Sequence, residues 1–135
     1  MRGREERVLE FLSRYGEALG SGDVDTIARC WEVTALVLTD EGARAVGAVA
    51  EIETFFRGAV AWYRAQGGVA AEARAIESEP IGDRILSVDV TWAALDARGV
   101  VTATEHSLYI LRLDDRGDPR IRVAITTGRA EAPPS

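Results

Sequence analysis

The sequence predicts an α+β domain in which helices gather on one face of an antiparallel sheet. Two observations carry this. Apolar residues recur with helical spacing in the first half of the chain, and after Gly67-Gly68 they alternate along four extended stretches. The turns that separate the last of these stretches, "ARG" and "DDRGDP", hold the glycines and aspartates that hairpins use.

The elements follow in order. Val8, Leu12, Tyr15 and Leu19 make one stripe of an amphipathic helix, which Gly20 and Gly22 are expected to end. Asp23 is placed to cap a second helix by accepting from its first free N–H groups. Val24, Ile27, Ala28 and Trp31 form the second stripe, so "GSG" joins a helical hairpin. "TALVLTD" reads as a strand from Thr34 to Thr39, "DEG" as a turn and "ARAV" as a short return strand. From Gly47 the helical period returns through Ile52, Phe55, Phe56, Ala59, Val60, Trp62 and Tyr63, which predicts a long helix with a wide aromatic buried face. The remaining strands are expected over 69–79, 84–96, 100–113 and 120–127. Strands well beyond the usual ~5–6 residues coil strongly, and a coiled sheet closed by helices leaves a hollow. Residues 1–128 are expected to form a single domain, and 129–135, which contain "EAPPS", a frayed polar tail.

Composition narrows the chemistry. With 135 residues, 47% of them apolar, the chain can bury a core. Its net charge of −6 would repel a polyanion, and no helix carries a basic stripe, so nucleic-acid binding is not expected. No apolar run approaches the ~18 residues of a membrane span, and charges interrupt "MRGREERVLEFLSRYG" too often for a secretory signal, so the expected location is cytoplasmic. All 16 basic residues are arginine. Without lysine there is no Schiff base, no pyridoxal attachment and no Walker lysine. One cysteine, Cys30, and one histidine, His106, cannot assemble a Cys/His zinc site, and neither a metal nor a cofactor is expected. Cys30, spaced with Ile27 and Trp31, reads as buried filler. "DDRGDP" lacks the closing glutamate of a calcium loop and reads as a solvated turn.

The ordered set of a tyrosine, "AL", "SGD" between two helices, an apolar strand, the glycine opening "GAVAEIETFF" and four closing strands resembles the nuclear transport factor 2-like superfamily, close to its SnoaL-like and ketosteroid-isomerase-like branches. The resemblance spans residues 6–128. It implies a cystatin-like α+β barrel: a cone of curved antiparallel sheet, with the three helices on its concave face and often a ligand inside. The superfamily includes isomerases, cyclases, dehydratases and non-catalytic binding modules, so fold alone leaves function open.

The resemblance also implies positions for chemistry. Tyr15, eight residues before Asp23, matches the tyrosine that donates to the developing enolate oxygen in ketosteroid isomerases. Their aspartate base falls on Thr39 here, with Asp40 one residue further and on the opposite strand face. Tyr109 falls near their second oxyanion donor. The steroid-isomerase base is therefore missing, which speaks against steroid isomerase activity and for a non-catalytic module, unless another group replaces it. On "VTATEHSLYILRL", Glu105, Ser107 and Tyr109 share one face and Thr104, His106 and Leu108 the other. If Tyr109 faces the hollow, Glu105 does too, as a carboxylate suited to proton transfer, and His106 points outward. The opposite register would place His106 inside, because a one-residue slip exchanges the faces. Asp89 on the neighbouring strand is a further candidate.

The aromatic residues Trp31, Phe55, Trp62, Tyr63 and Trp92 read as core, and in this fold as lining for a small apolar ligand. Both faces of the later strands carry apolar residues, which predicts a homodimer formed through the sheet. Two functions follow. One is a binding or proton-transfer site for an apolar, oxygen-bearing metabolite. The other is a non-catalytic ligand-binding or dimeric assembly module.

Overall fold

A computed structural model of the chain describes residues 3–131. The element order is α1 (Arg4–Ser21), α2 (Val24–Arg29), β1 (Trp31–Thr39), β2 (Gly42–Val46), α3 (Val49–Ala65), β3 (Ala70–Pro80), β4 (Ile85–Leu95), β5 (Val101–Leu113) and β6 (Pro119–Glu131). The six strands form one sheet in the order β2-β1-β6-β5-β4-β3. Every neighbouring pair is antiparallel except β1 and β6, which run parallel. The architecture is α+β, a curved sheet with three helices, as expected.

Helix α1 buries Val8, Phe11, Leu12 and Tyr15 on one stripe. That stripe meets Ile27 of α2 and the inner residues Leu86, Val88, Val90 and Trp92 of β4 in a single core. Each such side chain, fully buried, contributes about 1.5–3 kcal/mol of hydrophobic transfer. The helix ends at Gly22, whose φ of 75° is the left-handed turn a glycine tolerates. Gly20, expected as a terminator, instead lies within α1. A Cβ there would stand 2.8 Å from the Ala70 Cα, so its missing side chain lets the helix backbone rest against β3. The Asp23 cap is present: its carboxylate accepts from the Thr26 backbone N–H at 3.2 Å and from the Thr26 hydroxyl at 2.6 Å.

Three expectations are corrected. The α2 helix stops at Arg29, so Trp31 leaves the helical stripe and becomes the first residue of β1. Strand β1 starts there because the Cys30 carbonyl accepts from the Ile121 N–H, tying the exit of α2 directly to β6. The face of α3 is not a solid aromatic core: only Ile52 and Phe56 are buried, while Phe55 is 40% exposed and Trp62 and Tyr63 are half-buried. The reason is that α3 packs on α2 and β2 and bridges a hollow, so its aromatic side borders open space.

Two irregularities shape the sheet around that space. Between Arg74 and Glu77, β3 carries an extra residue against β4, and Ala75 takes a positive φ of 49° in this bulge. Between Thr126 and Gly128, β6 likewise carries Thr127 as an extra residue opposite the His106–Ser107 step of β5. Strand β6 continues to Glu131, so the first three residues of the expected tail pair with β5; residues 132–135 lie outside the described residues.

Candidate functional site

Helices α1 and α3 and strands β1, β3, β4, β5 and β6 border a hollow of about 70 Å³. That is well above the ~10–15 Å³ needed to admit a single water. Its walls are apolar and aromatic, with Trp31, Phe55, Phe56 and Trp92 among them. Its polar groups are few: Tyr15 from α1, Tyr63 from α3, Glu105, Ser107 and Tyr109 from β5, and Thr126 from β6, with Arg64 of α3 also at the border.

Strand alternation explains the β5 contribution. Ser107, opposite Thr126, and Tyr109, opposite Ala124, share the inner face with Glu105. His106 between them points to the outer face. There its Nε2 lies 2.6 Å from the Asp89 carboxylate, its Nδ1 is bonded to the Thr127 hydroxyl, and 41% of its side chain is exposed. The register that would put His106 in the hollow is therefore not the one adopted, and Asp89 lies outside with it. Thr39 and Asp40, the positions matching the isomerase base, are exposed at the end of β1 and in the turn that follows.

The two inner phenols are each held by an indole. Trp31 Nε1–H donates to the Tyr15 hydroxyl oxygen at 3.1 Å, and Trp92 Nε1–H donates to the Tyr109 hydroxyl oxygen at 2.8 Å. The rings meet edge to face, with centroids 6.2 Å apart. An indole N–H can only donate, so each phenol oxygen is used as an acceptor and keeps its own O–H to donate. Burial pushes the Tyr15 hydroxyl well above its ordinary range, and the neighbouring Tyr109 adds to this against the opposing pull of Trp31. Burial also raises Tyr109, against hydrogen bonds from Trp92 and Ser107. Both phenols thus stay protonated at any physiological pH. The Glu105 carboxylate accepts from the Tyr63 hydroxyl at 3.0 Å, which places the acid beside the rim supplied by α3.

Of the residues singled out from the sequence, Tyr15, Glu105, Tyr109, Trp31, Phe55, Tyr63 and Trp92 border the hollow. Trp62 does not; it stacks edge-on against Tyr63 with centroids 5.0 Å apart. Ser107 is legible in the sequence only as a member of the inner face, yet it is fully buried beside Tyr109. The indole–phenol bonds have no local signal, because they join residues 16 and 17 positions apart. Among the described residues no cluster of His, Cys, Asp and Glu could hold a metal, and no helix is long and apolar enough to cross a membrane.

A curved sheet of this order, three helices and an aromatic hollow between them define the cystatin-like class of α+β folds. Residues 4–129 match the family described as NTF2-like protein (DUF6841), and the chain belongs to that family. Solved structures share the fold. A protein of unknown function with a cystatin-like fold from Nostoc punctiforme is 10% identical with a TM-score of 0.74, over 96% of this chain and 91% of that one. An NTF2-like protein from Novosphingobium aromaticivorans is 15% identical with a TM-score of 0.71, over 91% of this chain and 80% of that one. Aln2 from a Streptomyces species is 19% identical with a TM-score of 0.73, over 91% of this chain and 89% of that one. At these identities the likeness is one of fold. No curated protein matches the chain.

Proposed function

We propose that the hollow binds a small, apolar, oxygen-bearing molecule and that Glu105 moves a proton on it, the chemistry of an isomerase, cyclase or dehydratase of the SnoaL-like kind. One observation carries this reading: two phenols, each pinned by an indole N–H, keep their protons for donation inside an apolar enclosure. A carbonyl or phenolic oxygen of the ligand would accept from Tyr15 and Tyr109. As negative charge grows on that oxygen, preorganised donors in a water-poor site stabilise it without reorganising. The carboxylate of Glu105 takes a proton from the neighbouring carbon, and Tyr63 orients it. The small volume favours a ligand near the size of a single ring.

Thermal unfolding against a panel of small ketones, phenols and lactones tests the binding. A ligand at about 100 times its Kd adds roughly 2.7 kcal/mol, a shift of a few degrees, which Tyr15→Phe should reduce. Deuterium uptake from solvent at the carbon next to the ligand carbonyl tests the chemistry, and Glu105→Gln should abolish it. Stabilisation without any exchange would leave binding and remove catalysis. No stabilisation by any member of the panel would count against both.

A second reading, a dimeric assembly module, has its own support. Leu36 and Leu38 of β1, Val123 and Ile125 of β6, and Leu108 and Ile110 of β5 are cross-strand neighbours on the outer face, and all are only half-buried. We infer that two copies join through this face, as a cytoplasmic homodimer. Sedimentation equilibrium tests it, with Ile125→Glu expected to give a monomer.

A further inference from the structure

Separate from the aromatic hollow lies an open cleft of about 610 Å³ lined by four arginines: Arg14 of α1, Arg29 of α2, Arg116 of the β5–β6 turn and Arg120 of β6. We propose that this cleft is a binding site for a small phosphomonoester, held through its dianionic phosphate.

Three observations support it. The guanidinium groups come from four separate elements and line one cleft together with Cys30. Burial pushes the Cys30 thiol up, while Arg14, by charge and hydrogen bond, and then the charges of Arg120 and Arg29 pull it down, so three of the four arginines act on this one group. Second, the positive charge is only partly neutralised locally. The only carboxylates in the lining are Asp114 and Asp118. Asp114 is taken up in accepting from the backbone N–H groups of Arg116 and Asp118, and pairs with Arg120 only at 3.9 Å. Among the described residues, no carboxylate lies within ion-pair distance of Arg14, Arg29 or Arg116, whose side chains are exposed to the cleft or to solvent. Four arginines against two aspartates leave a local excess of two positive charges in a chain whose net charge is −6.

Third, three of the four arginines are held by neighbours on the wall of the cleft. Arg120 donates to the Trp31 carbonyl at 3.3 Å, Arg29 Nε donates to the Asp25 carbonyl at 3.3 Å, and Arg14 lies over the Phe11 ring at 5.8 Å. These three guanidinium groups each have a neutral partner that leaves other N–H donors unused, and Arg116 stands exposed on the turn. Planar forks of this kind match phosphate oxygens two at a time, and a neutral-pH phosphate carries the charge that the cleft lacks. The cleft has the size of an ordinary small-ligand site, ~300–1,000 Å³. The thiol of Cys30 is kept protonated by its burial and serves as floor, not as nucleophile.

The test is titration with inorganic phosphate at constant ionic strength set by sodium chloride, followed by amide chemical shifts and thermal unfolding. Phosphate should stabilise the protein beyond chloride and shift the amides of the 114–118 turn. Arg29→Gln and Arg116→Gln, both at exposed positions, should each weaken phosphate by about tenfold or more, the worth of one charge-assisted hydrogen bond. The double variant should lose saturable binding while unfolding at nearly the wild-type temperature. Arg57→Gln on α3 should bind as wild type. Phosphate acting no more strongly than chloride, or binding equally well to the double variant, would overturn the proposal. Succinate binding as tightly as phosphate would also overturn it, because the cleft would then read two charges and not a phosphate.

Discussion

The two faces of β5 carry similar chemical groups in opposite circumstances. On the inner face, Ser107 and Tyr109 are buried and Glu105 borders an apolar hollow; on the outer face, His106 shares a partly exposed carboxylate and hydroxyl cluster with Asp89 and Thr127. Both sides are hydrogen-bonded. What differs is water. Inside, a donor that loses its partner has nothing to replace it, and a phenol cannot ionise without leaving a buried charge. Outside, solvent competes for every contact and screens every charge. Residue types alone would rank the histidine and aspartate cluster as the stronger candidate for chemistry, and burial reverses the order.

Substitutions should reproduce this contrast, beginning with the largest effect. Tyr15→Ala removes a side chain packed against Phe11, Phe56, Trp92 and Tyr109, and should cost about 3–5 kcal/mol in denaturant unfolding. Tyr109→Phe keeps the ring but strands the Trp92 N–H, and should cost about 1–3 kcal/mol. If it costs nothing, the indole has found another acceptor and the pinned-donor arrangement is not rigid. On the outer face His106→Ala should change stability by less than about 1 kcal/mol, since its pair with Asp89 is over one-third exposed. A larger loss that depends on protein concentration would show that a second copy covers this face.

Titration should sharpen the same comparison. The Tyr15 and Tyr109 phenols have raised values in the folded state, so the unfolded chain releases these protons first as pH rises. Their contribution is intact below the ordinary tyrosine value near 10 and is lost above it, at up to about 1.4 kcal/mol per pH unit for each phenol. Absorbance at alkaline pH should show two of the three tyrosines ionising only as the protein unfolds. The smallest effect should be at the surface in acid. The hydroxyl and then the backbone N–H of Thr26 hold the Asp23 carboxyl below its usual value, so its contribution is present above about pH 4 and is lost as pH falls through the depressed value. Asp23→Asn should flatten that acid limb while keeping the cap.

Much of the fold was legible because it rests on local pattern. The stripe of Val8, Leu12 and Tyr15, the cap at Asp23, the left-handed Gly22 and the alternation along β4 and β5 all act within a few residues. The shared face of Glu105 and Tyr109 followed from alternation once Tyr109 was taken as the inward residue. Less was legible wherever a distant element decided the outcome. Gly20 reads as a stop signal until β3 is seen resting on it, and Trp31 reads as helical until β6 claims the backbone beside it. The aromatic side of α3 reads as core until α3 is found bridging open space. The arginine cleft had no pattern at all, because its members lie on four elements spread from residue 14 to residue 120.

The sequence by itself determined the class of fold, the order of its elements and which residues of β5 share a face, since period and capping are properties of neighbouring residues. Tertiary structure alone decided which face encloses the hollow, that two indoles pin two phenols as donors within it, and that four arginines line one cleft. Those outcomes depend on how helices and strands far apart in the chain come to rest against one another, and burial, which sets the strength of every polar group here, exists only after they do.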